Sequence, residues 1–321
     1  MKSRLIINPV SGTDSGPDYL QIINGRLRDA GDLDIVMTVG PGDALDAARR
    51  SAREGYERLF VGGGDGTLNE VLNGVAAVEG GLESVTFGLI PLGTGNDFAD
   101  ALGIPEDVEA ALDILLGGRE VRVDVGVLND RHFVNVSAGG FIAEVSDAVS
   151  PRLKTVAGKL AYLVGGAQVL LDYEAVNVRL RVVAPGGDVV EREMGVEMFA
   201  VCNSRLIGGG RVIAPHAVID DGLLDLCVIE AMPTAEFLAL LPRVSGGGHV
   251  EDERVTYLRA EELELRFDRT IKVNTDGEVL EADACHYRVL PRAARFLAGE
   301  APFASRSGEG PPASGGVEAH L

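Results

Sequence analysis

The sequence predicts an α/β fold with a doubly wound parallel sheet in its first third and a mostly antiparallel, strand-rich domain after it. In the first third, strand-like runs alternate with glycine-rich loops and helix-like segments. From about Val121 the segments become strand-rich and often alternate between apolar and polar residues. A chain of 321 residues is long enough for two domains of ordinary size.

Each element of the first domain can be assigned from its local pattern. Four short apolar runs have the composition of buried strands: Arg4–Ile7, Asp34–Val39, Arg58–Val61 and Val85–Pro91. Three segments place apolar or small residues on one face at helical spacing: Tyr19–Ala30, Asp43–Arg53 with Asp43 as N-cap, and Leu68–Val78. Because parallel strands need long crossovers, this alternation predicts a parallel sheet.

The second domain is predicted from the strand-like stretches that run from VRVDVGVL near residue 121 to IKVNTDG near residue 277. Only Leu153–Leu171 and a segment near Thr234–Leu241 have helical character there. Such alternating strands are typical of an antiparallel sheet. The tail, residues 304–321, is rich in Gly, Pro and Ser and is predicted to be disordered.

The composition is strongly acidic, with 49 acidic and 29 basic residues and a net charge of −20. Such a chain should repel nucleic acid and anionic membrane surfaces. The near absence of lysine resembles proteins of salt-loving microbes, although a GC-rich genome would also favour arginine. The sequence shows no spanning apolar run, no signal peptide and three widely separated cysteines without metal-ligand spacing, so a cytoplasmic protein is expected.

Three glycine-rich loops follow three of the predicted strands: residues 8–12 (NPVSG), 62–67 (GGGDGT) and 93–97 (GTGND). Loops after parallel strands share the carboxyl edge of the sheet, where ligands bind. Glycines let backbone N–H groups approach phosphate, and a following helix N-terminus favours negative charge. None of the three fits a P-loop or the dinucleotide fingerprint, which argues against P-loop ATPases and NAD-dependent dehydrogenases.

These loops carry a family resemblance. NPVSG at 8–12, GGGDGTLNEV at 62–71 and PLGTGNDFA at 91–99 resemble the diacylglycerol kinase catalytic-domain family, which includes bacterial lipid kinases and sphingosine kinases. IDDGLLDL at 219–226 and NTDGEVL at 274–280 fit in the same order, and the resemblance covers about residues 2–295. It implies an ATP-dependent lipid kinase that phosphorylates the hydroxyl of diacylglycerol or a similar lipid alcohol.

The resemblance also implies the domain layout. A nucleotide-binding α/β domain would occupy residues 1–123, and residues 288–300 would return to it. A C-terminal β-sandwich-like lipid domain would occupy residues 124–287, and the active site would lie in the cleft between the two domains.

The resemblance assigns roles to individual residues. The residues expected to bind ATP are Asn8, Ser11, Gly12, Thr38, Gly64, Asp65, Gly66, Thr67, Leu68, Asn69, Glu70 and Thr94. Asp221, with the backbone carbonyls of Val218 and Leu223, is the expected Mg²⁺ site. The candidate catalytic residues are Glu278 as proton acceptor, Asp276 beside it, Asp65, and Asp124 near the domain junction.

These residue types suit phosphoryl transfer, which needs positioning, charge neutralisation and a base for the attacking hydroxyl. A hard cation prefers carboxylate and carbonyl oxygens, and a carboxylate can accept the proton. Taken alone, DGE at 276–278 would indicate only a hairpin turn and DDGLLD at 220–225 only a turn. Cys202-Asn203-Ser204 stands where the family often has Gly-Asn-Gly, and residues 208–210 after it are expected to shape the lipid entrance.

Two other functions stay open on the sequence: an NAD kinase-like or other small-molecule kinase with the same GGDG loop, and a non-catalytic nucleotide-binding regulatory module. The acceptor is also open among diacylglycerol, a phosphatidylglycerol-like lipid, a sphingoid base and an archaeal isoprenoid alcohol. The expected partner is the lipid at the inner membrane face, met by peripheral contact only, with no nucleic acid. A homodimer is an open assembly state.

Overall fold

A computed structural model describes residues 2–11, 18–28, 33–148, 173–300 and 303 of the chain. Three sequence-based predictions lie outside the described residues: Gly12 of the first glycine loop, the helix at Leu153–Leu171 and the tail at residues 304–321. Within the described part of the chain, no helix is long and apolar enough to cross a membrane.

The first domain is a parallel sheet with helices on both faces. Its strands are β1 (Ser3–Ile7), β2 (Leu33–Met37), β3 (Arg58–Gly63) and β4 (Thr86–Pro91), in the order β4-β3-β1-β2. Its helices are α1 (Asp18–Arg28), α2 (Asp43–Arg53), α3 (Asp65–Ala76), α4 (Gly81–Ser84), α5 (Asp97–Ala101) and α6 (Val108–Gly117). The doubly wound α/β architecture predicted from the sequence is confirmed.

Alternation along each strand explains the two helical layers. On β1, Ile6 packs into the cluster that contains residues of α2 and α3, whereas Leu5 and Ile7 pack on the other face with residues of α1 and α6. Successive side chains of a strand point to opposite faces, so a strand buried on both faces reads as one continuous apolar run.

The second domain is built from antiparallel strands. They are β5 (Arg119–Leu128), β6 (Arg131–Phe133), β7 (Val136–Gly140), β8 (Val176–Val183), β9 (Val189–Cys202), β10 (Leu206–Ile207), β11 (Arg211–Val212), β12 (Leu224–Glu230), β13 (Val255–Ala260), β14 (Glu262–Thr275) and β15 (Glu278–Ala298). Among the described residues of this domain, α7 (Phe141–Ala148), α8 (Thr234–Val244) and a 3-10 turn at Gly248–Glu251 accompany the strands. The strands pair in the order β13-β12-β9-β7-β14-β15, and β8 pairs with both β14 and β9.

The last strand joins the two domains. The first half of β15 pairs with β14, and its last residues run parallel to β4 at Arg295 and Phe296. Strand β5 runs antiparallel along residues 287–298 of β15, with a register shift between Leu290 and Ala294. Arg292, inside that shift, has a positive φ of 48°. The chain therefore returns to the first domain through a bent strand that joins the antiparallel and parallel parts into one continuous sheet.

Two local predictions were wrong. Helix α3 begins at Asp65 rather than Leu68, because extended Gly64 (φ −97°, ψ −171°) forms the N-cap. The GGDG motif at 63–66 therefore runs from the end of β3 into the first turn of α3. Asp43 is not the N-cap of α2, since Gly42 with φ 85° holds that position. The Asp43 carboxylate instead accepts the N–H groups of Val39 and Gly40 at 2.8 and 2.9 Å.

Candidate active site

The carboxyl ends of the first four strands bring the glycine loops together. The Asn8 N–H donates to the Gly62 carbonyl at 2.8 Å, and the Thr38 N–H donates to the Ile7 carbonyl at 2.9 Å. The Leu92 N–H donates to the Gly63 carbonyl at 3.0 Å. Loops that are distant in sequence thus lie side by side at one edge of the sheet, as the sequence predicted.

The second and third loops touch through their glycines. A Cβ on Gly93 would lie 2.4 Å from the Cα of Gly64, a separation that no real Cβ tolerates. The Asn96 side chain closes the third loop, because its Oδ1 accepts the Gly93 N–H at 2.9 Å and its Nδ2 donates to the Gly93 carbonyl at 2.8 Å. Only glycine at both contact positions permits this close packing.

The N-terminus of α3 is the centre of this surface. Its first intrahelical bond runs from the Leu68 N–H to the Gly64 carbonyl, so the N–H groups of the first turn have no acceptor within the helix. Asn8 reaches this turn from the first loop, where its Nδ2 donates to Thr67 Oγ1 at 3.4 Å. The exposed Thr94 lies on the third loop beside it. Unpaired N–H groups and the helix dipole make this a ready site for phosphate.

Asp65 lies in that first turn and ties it to the third loop. Its carboxylate accepts the N–H groups of Asp97 and Phe98, both at 3.1 Å, and so caps α5. Burial, followed by the negative charge of Asp97, raises the pKa of Asp65 to about 7. A buried carboxyl whose pKa is raised to near neutral pH beside a cluster of glycine loops is typical of a functional site.

Asp97 links the two domains, a role that the sequence analysis missed. Its side chain is 3% exposed, and its carboxylate accepts the N–H groups of Gly209 at 3.0 Å and Gly210 at 2.7 Å. Both glycines have positive φ, 85° and 88°, which points their N–H groups inward. The loop at residues 208–210 therefore lies against the third glycine loop. The paired acid and glycine run were visible in the sequence, but nothing local connected them.

The turn at 276–278 lies across the N-terminus of α3. Asp276, with φ 46°, is 6% exposed, and its carboxylate accepts N–H groups from Val134, Asn135 and Val136 at 2.9, 3.2 and 2.8 Å. Burial raises its pKa to about 6, although these N–H groups oppose the shift. A Cβ on Gly277 would lie 3.7 Å from the Cα of Gly66. Asp276 thus ties the turn to residues 134–136 through both of its carboxylate oxygens, and the turn lies against the glycine loop at 62–67.

Glu278 follows at the start of β15. Its side chain is 36% exposed and forms an ion pair with Arg131, whose side chain is 51% exposed. Because the preceding Gly277 lies against Gly66, this partly exposed carboxylate lies near the N-terminus of α3. Arg131 had no place in the sequence-based site, because its contact with Glu278 spans 147 residues.

Asp124 forms hydrogen bonds at the junction between the two domains. It is fully buried, and its two oxygens accept the N–H groups of Gly222 and Arg292, both at 2.6 Å. Burial raises its pKa to about 6. These bonds hold the turn at 220–222 against the bend in β15. Its predicted catalytic role stays a prediction.

Three residues of the predicted ATP set direct their side chains elsewhere. Leu68 packs in the core of the first domain at 3% exposure. Asn69 Nδ2 donates to the His132 carbonyl at 3.0 Å, across the domain junction. The Glu70 carboxylate accepts the Gly42 and Ala44 N–H groups at 3.1 Å and so caps α2. These side chains position the loop, and a nucleotide would meet the backbone here.

The predicted Mg²⁺ ligands can be tested for fit. Asp221 Oδ1 accepts the Leu223 N–H at 3.1 Å, and Oδ2 is paired with the Arg259 guanidinium. The Asp221 side chain is 1% exposed, so a divalent ion could reach it only by displacing Arg259. Within residues 2–11, 18–28, 33–148, 173–300 and 303, no group of three or more His, Cys, Asp or Glu side chains could hold a metal. The Asp221 carboxylate, with one oxygen on the Leu223 N–H and the other on Arg259, does not fit a metal as it stands, and the carbonyls of Val218 and Leu223 stay predicted ligands.

The buried acids predict how stability depends on pH. The pKa of Asp65 is raised from 3.8 to about 7, so the native state binds this proton more tightly, and stability falls as pH rises from about 4 to about 7. The pKa values of Asp124, Asp225 and Asp276 are raised to about 6. These three residues therefore add to the loss of stability only below about pH 6. The free energy of unfolding should therefore fall between pH 6 and 7 by up to about 1.4 kcal/mol through Asp65 alone.

The matched experiment compares thermal melts of the wild type and Asp65→Asn from pH 5.5 to 8. Burial lowers the pKa of His132 and His249, which opposes the trend but is common to both proteins. We expect the wild-type Tm to fall between pH 6 and 7 relative to that of the variant. Parallel curves would show that Asp65 titrates in its ordinary range.

Comparisons with known proteins agree with this arrangement. Residues 2–128 match the family model described as the diacylglycerol kinase catalytic domain, and residues 135–298 match the YegS C-terminal NAD kinase beta sandwich-like domain. Diacylglycerol kinase of Staphylococcus carnosus (strain TM300) is 35% identical over 278 residues, covering 86% of this chain and 88% of the relative. Diacylglycerol kinase of Bacillus subtilis (strain 168) is 32% identical over 279 residues, covering 86% and 89%.

A crystal structure from Bacillus anthracis str. Sterne shares the fold, with a TM-score of 0.77 at 29% identity over 94% of this chain and 96% of that chain. The β-sandwich-like character expected of the second domain is thereby confirmed. Two matching domains in the expected order, together with relatives more than 30% identical over most of the chain, establish the family. The chain belongs to the diacylglycerol kinase family of lipid kinases.

Proposed function

We propose that the protein transfers the γ-phosphate of ATP to the hydroxyl of diacylglycerol or a similar lipid alcohol. The observation that carries this proposal is the position of the 276–278 turn, which lies on the first turn of α3 at Gly66, between the phosphate-binding loops and the second domain. A donor phosphate at the helix N-terminus and an acceptor hydroxyl beside Glu278 would then meet in the cleft between the domains.

Each residue near this point has a distinct task in the proposal. The N–H groups at the start of α3, with Asn8, Thr67 and Thr94 around them, hold the phosphates. Asp65 supplies a carboxylate beside them that suits the Mg²⁺ accompanying ATP, which is part of the substrate. Glu278 accepts the proton of the attacking hydroxyl. Asp276, Asp124 and Asp97 hold the domains and the turn in register.

The names of the relatives favour diacylglycerol as the acceptor. The lipid would be met at the inner membrane face by peripheral contact, and we extend the proposal to a cytoplasmic enzyme that associates only transiently with that surface. No nucleic acid partner is proposed, in keeping with the net charge of −20. A homodimer stays an open assembly state.

A screen with [γ-³²P]ATP tests the acceptor. The purified protein is incubated with diacylglycerol, a phosphatidylglycerol-like lipid, a sphingoid base, an isoprenoid alcohol and NAD in parallel. NAD is included because the second domain matches a model described as NAD kinase beta sandwich-like. Label in a lipid supports the proposal, label in NADP would replace it with the nucleotide kinase, and no label with any acceptor would favour a non-catalytic module.

The acidic surface predicts a dependence on salt. At a net charge of −20, like charges repel more strongly in the compact native state than in the expanded chain. The screening length falls from about 30 Å at 0.01 M salt to about 3 Å at 1 M, so added salt should relieve this repulsion. We expect both Tm and activity to rise from low salt into the molar KCl range, as in proteins of salt-loving microbes.

A KCl series of thermal melts measures this effect, and a parallel series in sucrose controls for preferential exclusion. A flat or falling Tm in KCl would remove the halophile interpretation and leave the kinase proposal untouched.

A further inference from the structure

Two buried acids and one arginine meet at the turn that follows Asp220. The side chains of Asp221 and Asp225 are each 1% exposed, and that of Arg259 is 24% exposed. The Arg259 guanidinium pairs with Asp221 Oδ2 and places its Nε 3.9 Å from Asp225 Oδ1. One guanidinium thus lies between two carboxylates that are shielded from water.

The pairing of β12 with β13 positions Arg259 at this turn. Asp225 of β12 and Arg259 of β13 are directly opposite in the antiparallel register. Side chains of directly opposed residues lie on the same face of a sheet, about 5 Å apart at Cβ. The arginine is therefore placed by a strand pairing that belongs to the core of the second domain, and not by a mobile surface contact.

Three of the four carboxylate oxygens of the two acids have a partner, whereas Asp225 Oδ2 is buried without a hydrogen-bond partner among the described residues. Asp221 Oδ1 accepts the Leu223 N–H at 3.1 Å, and Asp225 Oδ1 accepts the Tyr257 hydroxyl at 2.7 Å. The neighbouring Asp220 is approached by Arg292, whose Nη2 lies 3.6 Å from its carboxylate. A magnesium ion on Asp221 would face the permanently charged Arg259 at close range, and the repulsion between them would be strong in this buried setting.

We propose that Arg259 is the cation of this turn, in the place that the family resemblance gives to a magnesium ion. The turn at 220–223 and the adjoining bond from Gly222 to Asp124 then form without a divalent metal. The Mg²⁺ that accompanies ATP is a separate ion, and the proposal makes no claim about it.

Thermal melts in molar KCl without nucleotide test this proposal. The wild type, Arg259→Met and Arg266→Met are each melted in excess EDTA and in millimolar MgCl₂. Methionine keeps the length of the arginine stem and removes its charge. Arg266 is the matched control, because it is 59% exposed and pairs with Glu264 at the surface of β14.

We expect the same wild-type Tm in EDTA and in Mg²⁺. The Tm of Arg259→Met in EDTA should be at least about 5 °C lower than that of the wild type, because two buried carboxylates lose their cationic partner. Mg²⁺ should restore part of that loss, and the double variant Asp221→Asn/Arg259→Met should show no restoration. The proposal would be overturned if Arg259→Met were as stable in EDTA as Arg266→Met. It would also be overturned if Mg²⁺ raised the Tm of the wild type but not that of Asp221→Asn.

A second measurement does not need the Arg259 variant to fold. Mn²⁺ binding to nucleotide-free wild type and Asp221→Asn is counted by electron paramagnetic resonance in molar KCl. Equal stoichiometry supports an internal cation at this turn. One additional Mn²⁺ in the wild type would show that a metal displaces Arg259, and would overturn the proposal.

Discussion

Replacing Asp65 by asparagine is expected to reduce phosphoryl transfer by about 10³-fold or more while leaving the fold intact. The Asp65 carboxylate lies in the first turn of α3, accepts the N–H groups of Asp97 and Phe98, and carries charge beside the phosphate-binding surface. Asparagine keeps the shape and one acceptor oxygen but loses the charge that a nucleotide-bound Mg²⁺ would meet. We expect the loss in kcat, with circular dichroism and gel-filtration profiles unchanged.

The matched control is Asp107→Asn. Asp107 also caps a helix, since its carboxylate accepts the Ala110 N–H at 2.9 Å at the start of α6, but it plays no part in the glycine loops. This variant should retain wild-type turnover. If Asp65→Asn also turns over at the wild-type rate, the assignment of the ATP loop is wrong.

Replacing Glu278 by glutamine is expected to lower kcat by about 10²–10⁴-fold with little change in the affinity for ATP. Glutamine has nearly the same size and can hydrogen-bond, but it cannot accept the proton of the attacking hydroxyl. Glu281→Gln, an exposed glutamate further along β15, is the control and should behave as wild type. A change confined to the KM for ATP would contradict the role of Glu278.

The ion pair with Arg131 requires one more variant. Glu278→Gln removes both the base and the ion pair, whereas Arg131→Met removes only the ion pair. If Glu278 acts as the base, Arg131→Met should keep far more activity than Glu278→Gln. Equal losses in the two variants would mean that the ion pair, and not proton transfer, is what the reaction requires.

The parts of the site that depend on local chemistry could be predicted from the sequence. Several glycine-rich loops that each link a strand to a helix indicate candidate phosphate loops, and parallel strands place such loops at one edge. Asn8, Gly64 and Gly93 were therefore brought together as expected. Alternation of apolar residues likewise predicted the antiparallel character of β8, where Val176, Val178, Leu180 and Val182 are buried.

The parts that depend on contacts across the fold could not be predicted. Asp124 meets Arg292 across 168 residues, and Asp97 meets Gly210 across 113. Glu70 was assigned to the nucleotide through its motif, yet its carboxylate caps α2, a helix that has no side-chain cap of its own. Such partners are set by strand order and domain packing, for which a single sequence carries no local signal.

One measurement tests most directly whether the cleft transfers phosphate from ATP to a lipid hydroxyl. Wild type and Asp65→Asn are incubated with [γ-³²P]ATP, Mg²⁺ and diacylglycerol in mixed micelles at molar KCl, and the extracted lipids are separated and identified by mass. We predict labelled phosphatidic acid from the wild type and almost none from the variant. The opposite result would be that no lipid alcohol tested becomes labelled, while the same protein phosphorylates NAD in a separate incubation. That result would contradict the assignment of a lipid kinase.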